Sequence, residues 1–161
     1  MAKGQVTEPA RRELQLESFL PYLVNNLADR ISTGLSRIYA GEYGLSVPEW
    51  RVLANLAEHG VLNAKQIVST TGMEKSKVSR AVKNLTARGL IVQRRKEADN
   101  RARDLALTAA GLALYGDLVP HALAWEGELL DCLSVSEYRD FMYLLGKLRQ
   151  RATTMAQESP G

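Results

Sequence analysis

Asn63-Ala64-Lys65-Gln66-Ile67-Val68-Ser69-Thr70-Thr71-Gly72-Met73-Glu74-Lys75-Ser76-Lys77-Val78-Ser79-Arg80-Ala81-Val82-Lys83-Asn84-Leu85-Thr86-Ala87-Arg88-Gly89 is the stretch on which the fold turns. Asn63 followed three residues later by Gln66 has capping-box spacing and opens a short helix to about Thr70, which Gly72 ends. After a short turn, Glu74 to Arg88 forms a second helix, closed by Gly89 at the position where a left-handed residue is wanted. Val78, Ala81, Val82 and Leu85 stand at i, i+3, i+4 and i+7 of that helix, a narrow apolar stripe for packing. The opposite face carries Ser76, Ser79, Arg80, Lys83 and Asn84. Two short helices joined by a Gly-containing turn make a helix-turn-helix over about residues 63–88.

The residues on either side extend the pattern. Leu90 to Arg95 is a short strand candidate, Lys96 to Asn100 a polar turn, and Arg101 to Leu107 a second strand in which Ala102, Leu105 and Leu107 alternate with polar residues. The hairpin, about 90–107, stands where a winged helix-turn-helix has its wing. Upstream, Ser46-Val47-Pro48-Glu49 is another capping box, opening a helix to about His59 that Gly60 stops. Residues 46–107 are thus expected to be the DNA-binding region.

Charge supports this. From Glu74 to Asp104 ten Lys or Arg face four acids, a net +6, while the whole chain carries only +3. The rest is therefore net acidic, and the basic segment has the electrostatic footprint of a phosphate-docking surface. Lys75, Ser76, Lys77, Ser79, Arg80, Lys83 and Asn84 are the expected contacts on the second helix, with side chains of the kinds that reach base edges and phosphates in a major groove. Arg94, Arg95, Asp99, Arg101 and Arg103 are the expected wing contacts, for the backbone and a narrow minor groove. The rival use of the fold, a protein-interaction module, predicts an acidic or apolar outward face on residues 74–88 instead.

Working outward, Leu14 to about Tyr39 has apolar residues in steps of three or four, with Pro21 marking a first turn near Ser18 and Gly41 and Gly44 ending the helix. Thr108 caps a long helix in which Pro120 predicts a kink. Ser134-Val135-Ser136-Glu137 opens a last helix through about Arg151, with a frayed tail expected after Thr153. The fold class is mainly α: about six helices plus a β-hairpin wing, as one chain over 1–161. Residues 14–45 and 108–153 are expected to be dimerisation helices, because they leave more apolar surface than a small winged module can cover.

Other classes find little support. At 161 residues there is room for one domain, or for a DNA-binding module with one further layer. No apolar run approaches the roughly 18 residues that cross a bilayer, and residues 1–12 are polar, so a cytoplasmic protein with no membrane partner is expected. Cys132 is the only cysteine, which leaves no intrachain disulfide or cysteine-based metal site. It is expected to be a buried small residue, with a redox-responsive thiol as the alternative. No phosphate-binding Gly-rich loop or nucleophile elbow occurs, and His59 and His121 lie far apart. No enzyme activity, cofactor or metal is expected.

The segments Val47-Pro48-Glu49-Trp50-Arg51-Val52-Leu53, Lys75-Ser76-Lys77-Val78-Ser79-Arg80, Leu85-Thr86-Ala87-Arg88-Gly89-Leu90-Ile91 and Asp99-Asn100-Arg101-Ala102-Arg103 with Leu107-Thr108, in that order, resemble the multiple-antibiotic-resistance regulator (MarR) family. The resemblance spans about Ser18 to Arg151. It implies a mostly helical homodimer built on the first, fifth and sixth helices, a palindromic operator on double-stranded DNA, a repressor's role, and release by a small molecule. It also implies that Arg101 enters the minor groove braced by Asp99. The family's effectors lie between dimer helices and winged module, where Tyr22, Asn26, Arg30, Tyr39, Trp50, Arg51 and His121 could supply an aromatic wall and a cation. The opening Phe19-Leu20-Pro21-Tyr22 is similar to that of members controlling aromatic-acid breakdown, which implies a phenolic acid or its thioester as effector.

Overall fold

The computed structural model describes residues 14–96 and 99–158, and their side chains except at 95, 96 and 99–102. After a 3-10 turn at Leu16–Ser18, the order is α1 (Leu20–Gly41), α2 (Val47–His59), β1 (Leu62–Asn63), α3 (Ala64–Thr71), α4 (Lys75–Ala87), β2 (Ile91–Lys96), β3 (Asp99–Leu107), α5 (Ala109–Leu130) and α6 (Val135–Glu158). The three strands form one antiparallel sheet in the order β1-β3-β2.

The helix boundaries follow from local chemistry. Both upstream capping boxes form: Ser46 and Glu49 cap each other's backbone amides at α2, and Asn63 and Gln66 do so at α3. Gly72 ends α3 at φ +65°, and Gly89 follows α4 at φ +68°, so both turns use a conformation that a Cβ resists. The Thr108 hydroxyl accepts from the amide of Gly111 at 3.1 Å and donates to the carbonyl of Gly89 at 2.7 Å, joining the start of α5 to the end of α4. α5 is helical from Ala109 to Leu130 across Pro120.

Three features differ from the sequence expectation. β2 and β3 extend into the expected turn, taking in Lys96, Asp99 and Asn100, with a register irregularity between Arg95 and Lys96. The last helix runs to Glu158 rather than Arg151: no glycine or proline interrupts residues 152–158, and the hydroxyls of Thr153 and Thr154 turn back onto the carbonyls of Arg149 and Gln150. The third is β1, a strand that no local pattern predicts.

The core lies in the middle of the chain. Tyr39, Leu45, Val52, Leu53, Leu56, Leu62, Ile67, Met73, Leu90, Ile91, Leu105 and Leu118 are buried together with the α4 stripe of Val78, Ala81, Val82 and Leu85. α6 adds no buried residue, and α1 adds only Tyr39. Gly34 of α1 lets α5 approach: a Cβ there would meet the Trp125 ring at 2.7 Å. Leu20, Leu23, Val24 and Leu27 on α1 and Phe141, Met142, Leu145 and Leu148 on α6 remain exposed in the single chain.

Candidate DNA-binding surface

With its apolar stripe seated on the core, α4 turns Lys75, Ser76, Lys77, Ser79, Arg80, Lys83 and Asn84 to solvent, all seven of the residues expected there. Its first turn carries Lys75 and Lys77 but no acid, although Glu74 stands at the N-cap. Cations at the positive end of a helix dipole weaken the helix slightly and attract anions. A rule of helix stability is thus set aside where an anionic partner would compensate.

Two clefts of about 430 Å³ each flank this face. One lies toward α2 and includes Ser46, Pro48, Lys77, Arg80 and Asn84. The other lies toward the sheet and includes Lys75, Ser79, Lys83, Gln93 and Arg103. Across the second runs a polar chain: Arg103 Nη1 donates to Gln93 Oε1 at 3.4 Å, Gln93 Nε2 to Thr86 Oγ1 at 3.1 Å, and Thr86 Oγ1 to the Val82 carbonyl at 2.7 Å. Gln93 therefore ties the base of the hairpin to α4, a role no local sequence pattern signals.

In the wing, Arg94 is exposed and pairs in register with Asp104, and Arg103 is exposed opposite Arg95. The side chains of Arg95, Asp99 and Arg101 lie outside the described residues, so the expected bracing of Arg101 by Asp99 does too. The backbone puts Asp99 at the first position of β3, not in a turn.

Behind the surface sits a polar cluster. Glu49 is buried, and its carboxylate accepts from the Ser46 amide at 2.7 Å and the Ser46 hydroxyl at 2.8 Å. Burial opposes its ionisation, but the Ser46 bonds, with the nearby Asn84 amide and the charge of Arg88, hold its carboxyl below the ordinary glutamate value. Asn84, expected as a DNA contact, is exposed on the α4 face and stands beside this cluster. Arg88 donates from Nη2 to the Tyr43 carbonyl at 2.8 Å and from Nη1 to the Gly44 carbonyl at 3.0 Å.

The expected effector residues are only partly gathered. Tyr39 and Trp50 stack at 5.6 Å between centroids, and Trp50 stacks on Tyr115 of α5 at 5.8 Å, a third ring outside the expected set. Burial raises the Tyr39 phenol, and the charge of Arg51 partly offsets this. A cleft of about 390 Å³ between α1, α2, α5 and α6 takes Trp50 from the expected set, with Trp125, Tyr138 and Phe141 as further aromatic walls. Tyr22, Asn26, Arg30, Tyr39, Arg51 and His121 do not line it, and among the described residues the only charged one that does is Glu126. Cys132 is exposed in the single chain, not buried as expected: it lies in the turn after α5, which ends at Leu130, and its thiol reaches back to the Leu129 carbonyl. No helix among the described residues is long and apolar enough to cross a membrane.

Comparison with known proteins bears on the family and the fold. A family model described as the MarR family matches residues 43–102, from the loop before α2 to within β3. A crystal structure of a MarR family transcriptional regulator from Silicibacter pomeroyi is 31% identical, covers 85% of this chain and 94% of its own, and superposes with a TM-score of 0.72. The chain belongs to the MarR family. Among curated relatives, the HTH-type transcriptional regulator YwoH of Bacillus subtilis is 33% identical over 98 residues, 61% of this chain and 67% of its own. The HTH-type transcriptional repressor MdtR of the same organism is 27% identical over 111 residues, 69% of this chain and 72% of its own. This MarR family member is accordingly a DNA-binding transcriptional regulator with a winged-helix fold.

Proposed function

We propose that the protein is a homodimeric repressor that binds a palindromic operator and is released by a small aromatic effector. The observation that carries the DNA part is the exposed α4 face, Lys75 to Asn84, with a basic hairpin beside it and an apolar stripe holding it to the core. On this reading Ser76, Ser79 and Arg80 meet base edges, Lys75, Lys77 and Lys83 meet phosphates, and Arg94, Arg95, Arg101 and Arg103 follow the backbone into the minor groove, with Asp99 bracing Arg101. Repression has the support of MdtR, whose name states that activity. Residues 14–45 and 108–153 supply the dimer, and a two-fold dimer sets two α4 helices about one DNA turn, roughly 34 Å, apart.

The effector part rests on the cleft beside Trp50, which is apolar and aromatic-walled. A phenolic acid or its thioester would place its ring there. The deciding experiment is a gel-shift titration on a duplex selected by the protein from a randomised library, at two salt concentrations. Binding that weakens steeply with salt is expected, since each neutralised phosphate releases counterions. A shift insensitive to salt, or no selected duplex, overturns the reading. Arg101→Ala is expected to weaken binding, and unchanged affinity removes the wing from it. Phenolic acids and their thioesters are expected to raise the melting temperature by mass action.

A further inference from the structure

Arg88 stands in the basic segment, is exposed, and closes the α4 helix, so by charge alone it belongs with the DNA contacts. Its geometry says otherwise. The two terminal nitrogens of its guanidinium each hold one carbonyl of the α1–α2 linker, Tyr43 at 2.8 Å and Gly44 at 3.0 Å. The linker is itself fixed at both ends. Gly44 takes φ +59°, the next residue, Leu45, is buried and donates its amide to the Tyr39 carbonyl at 3.0 Å, and the Tyr43 phenol donates to Asp117 Oδ2 of α5 at 2.9 Å. On the inner side, the same α4 end meets Glu49 of α2, whose ionised form Asn84 and the charge of Arg88 both favour.

We propose that Arg88 is a positioning residue for DNA recognition: it clamps the C-terminal end of α4 to the linker, and Tyr43 carries that clamp to Asp117, so that the pose of the recognition helix is keyed to α5. Three elements that are far apart in the chain, at residues 43–44, 88 and 117, meet in one hydrogen-bonded line. A planar two-pronged donor suits two adjacent carbonyls, where an ammonium would engage one at a time. The line also runs from the DNA-facing helix to the helix that walls the aromatic cleft, through Ala122, Trp125 and Glu126 of that same α5. A change in α5 therefore has a direct mechanical path to α4 that does not pass through the apolar core.

The inference rests on α4 being the helix that reads DNA, and the experiment separates the two. Wild type, Arg88→Lys, Arg88→Ala and Tyr43→Phe are titrated against a duplex selected by the wild-type protein and against a random duplex, each over a series of salt concentrations, with melting temperatures recorded alongside. If wild type selects no duplex, the DNA reading fails, and the inference with it. If wild type binds, the clamp predicts that Arg88→Lys and Tyr43→Phe each lose about tenfold in preference for the selected over the random duplex, a loss of the size of one poor base contact. The salt slope is expected to stay at the wild-type value, including in Arg88→Ala. A slope that falls by about one in Arg88→Ala, with function restored by Arg88→Lys, makes Arg88 a phosphate contact and overturns the clamp. Equal losses on both duplexes that track a lowered melting temperature make the cluster a matter of stability only, and also overturn it. Tyr43→Phe changes no charge and removes one exposed hydroxyl, so it keeps the inference testable even if the Arg88 variants fail to fold.

Discussion

Arg80 and Asn84 sit one helical turn apart on the same exposed face, and both line the cleft toward α2. Asn84 also favours the ionised form of the buried Glu49, while Arg80 offers the cleft a full charge and a planar donor. Arg80→Ala is therefore expected to cost about 1–3 kcal/mol on a selected duplex and to relax preference at one base pair. Binding measured against single-base variants of the duplex checks this, and undiminished discrimination at every position counts against it. Glu49 makes a second expectation at this scale. Its folded carboxyl is held below the ordinary value of 4.5, so between the two values the unfolded chain binds the extra proton and stability rises with pH. The contribution is present above about pH 4.5 and is lost as pH falls through the folded value. Denaturation midpoints of wild type and Glu49→Gln are expected to differ at neutral pH and converge in acid, while a gap that is constant with pH would be contrary evidence. The α4 stripe was legible in the sequence because its four positions are neighbours in the chain. The approach of Asn84 to Glu49 was not, since no periodicity connects residues 35 apart.

Elements are legible where a cap or a stop marks them. Ser46, Asn63 and Ser134 all form the expected interactions with the residue three positions on, so the starts of α2, α3 and α6 needed only local chemistry. The two-residue strand β1 escaped because Leu62 and Asn63 are too few to display alternation; it exists only because β3 offers Leu105 and Asp104 as partners. Glycine in α5 gives a test of element packing. Gly111 is buried at the first turn, and a Cβ there would run into the Leu90 carbonyl, which belongs to backbone and cannot rotate aside. Gly116, further along the same helix, has nothing within 4 Å of its Cβ position. Gly111→Ala is expected to destabilise the protein by about 1–3 kcal/mol or more. Gly116→Ala is expected to stabilise it by about 0.5–1 kcal/mol through helix propensity. Thermal unfolding of the two variants side by side checks the contrast, and a Gly111→Ala protein as stable as wild type would mean that α5 does not dock on Leu90 as described.

At the scale of the molecule, the apolar residues are distributed as in half of something larger. The winged module closes over its own core, but α6 buries nothing within the chain, and a groove between α1 and α6 is lined by Leu20, Pro21, Val24, Met142, Leu145 and Leu148. A contiguous exposed apolar face of this kind marks an interaction surface. On the proposed function a second copy is the occupant, and it would supply a second α4 helix in fixed register with the first. Leu145, 42% exposed in the single chain, lies in that groove, and Leu145→Glu would place a charge where the partner's apolar surface arrives. Burying an unpaired carboxylate costs several kcal/mol, enough to shift a dimer toward monomer at ordinary protein concentrations. Sedimentation is expected to report a dimer for wild type and a lighter species for Leu145→Glu. The melting temperature of wild type is expected to rise with protein concentration. Separation has a further cost on DNA: linking two half-site contacts raises apparent affinity by roughly 10²–10⁴, and a monomer forfeits it. Leu145→Glu is therefore expected to lose affinity for a selected two-fold duplex by that order while keeping its affinity for a single half-site. A variant that sediments as a dimer and binds the full duplex like wild type would show that the α1–α6 groove is not where the two copies meet.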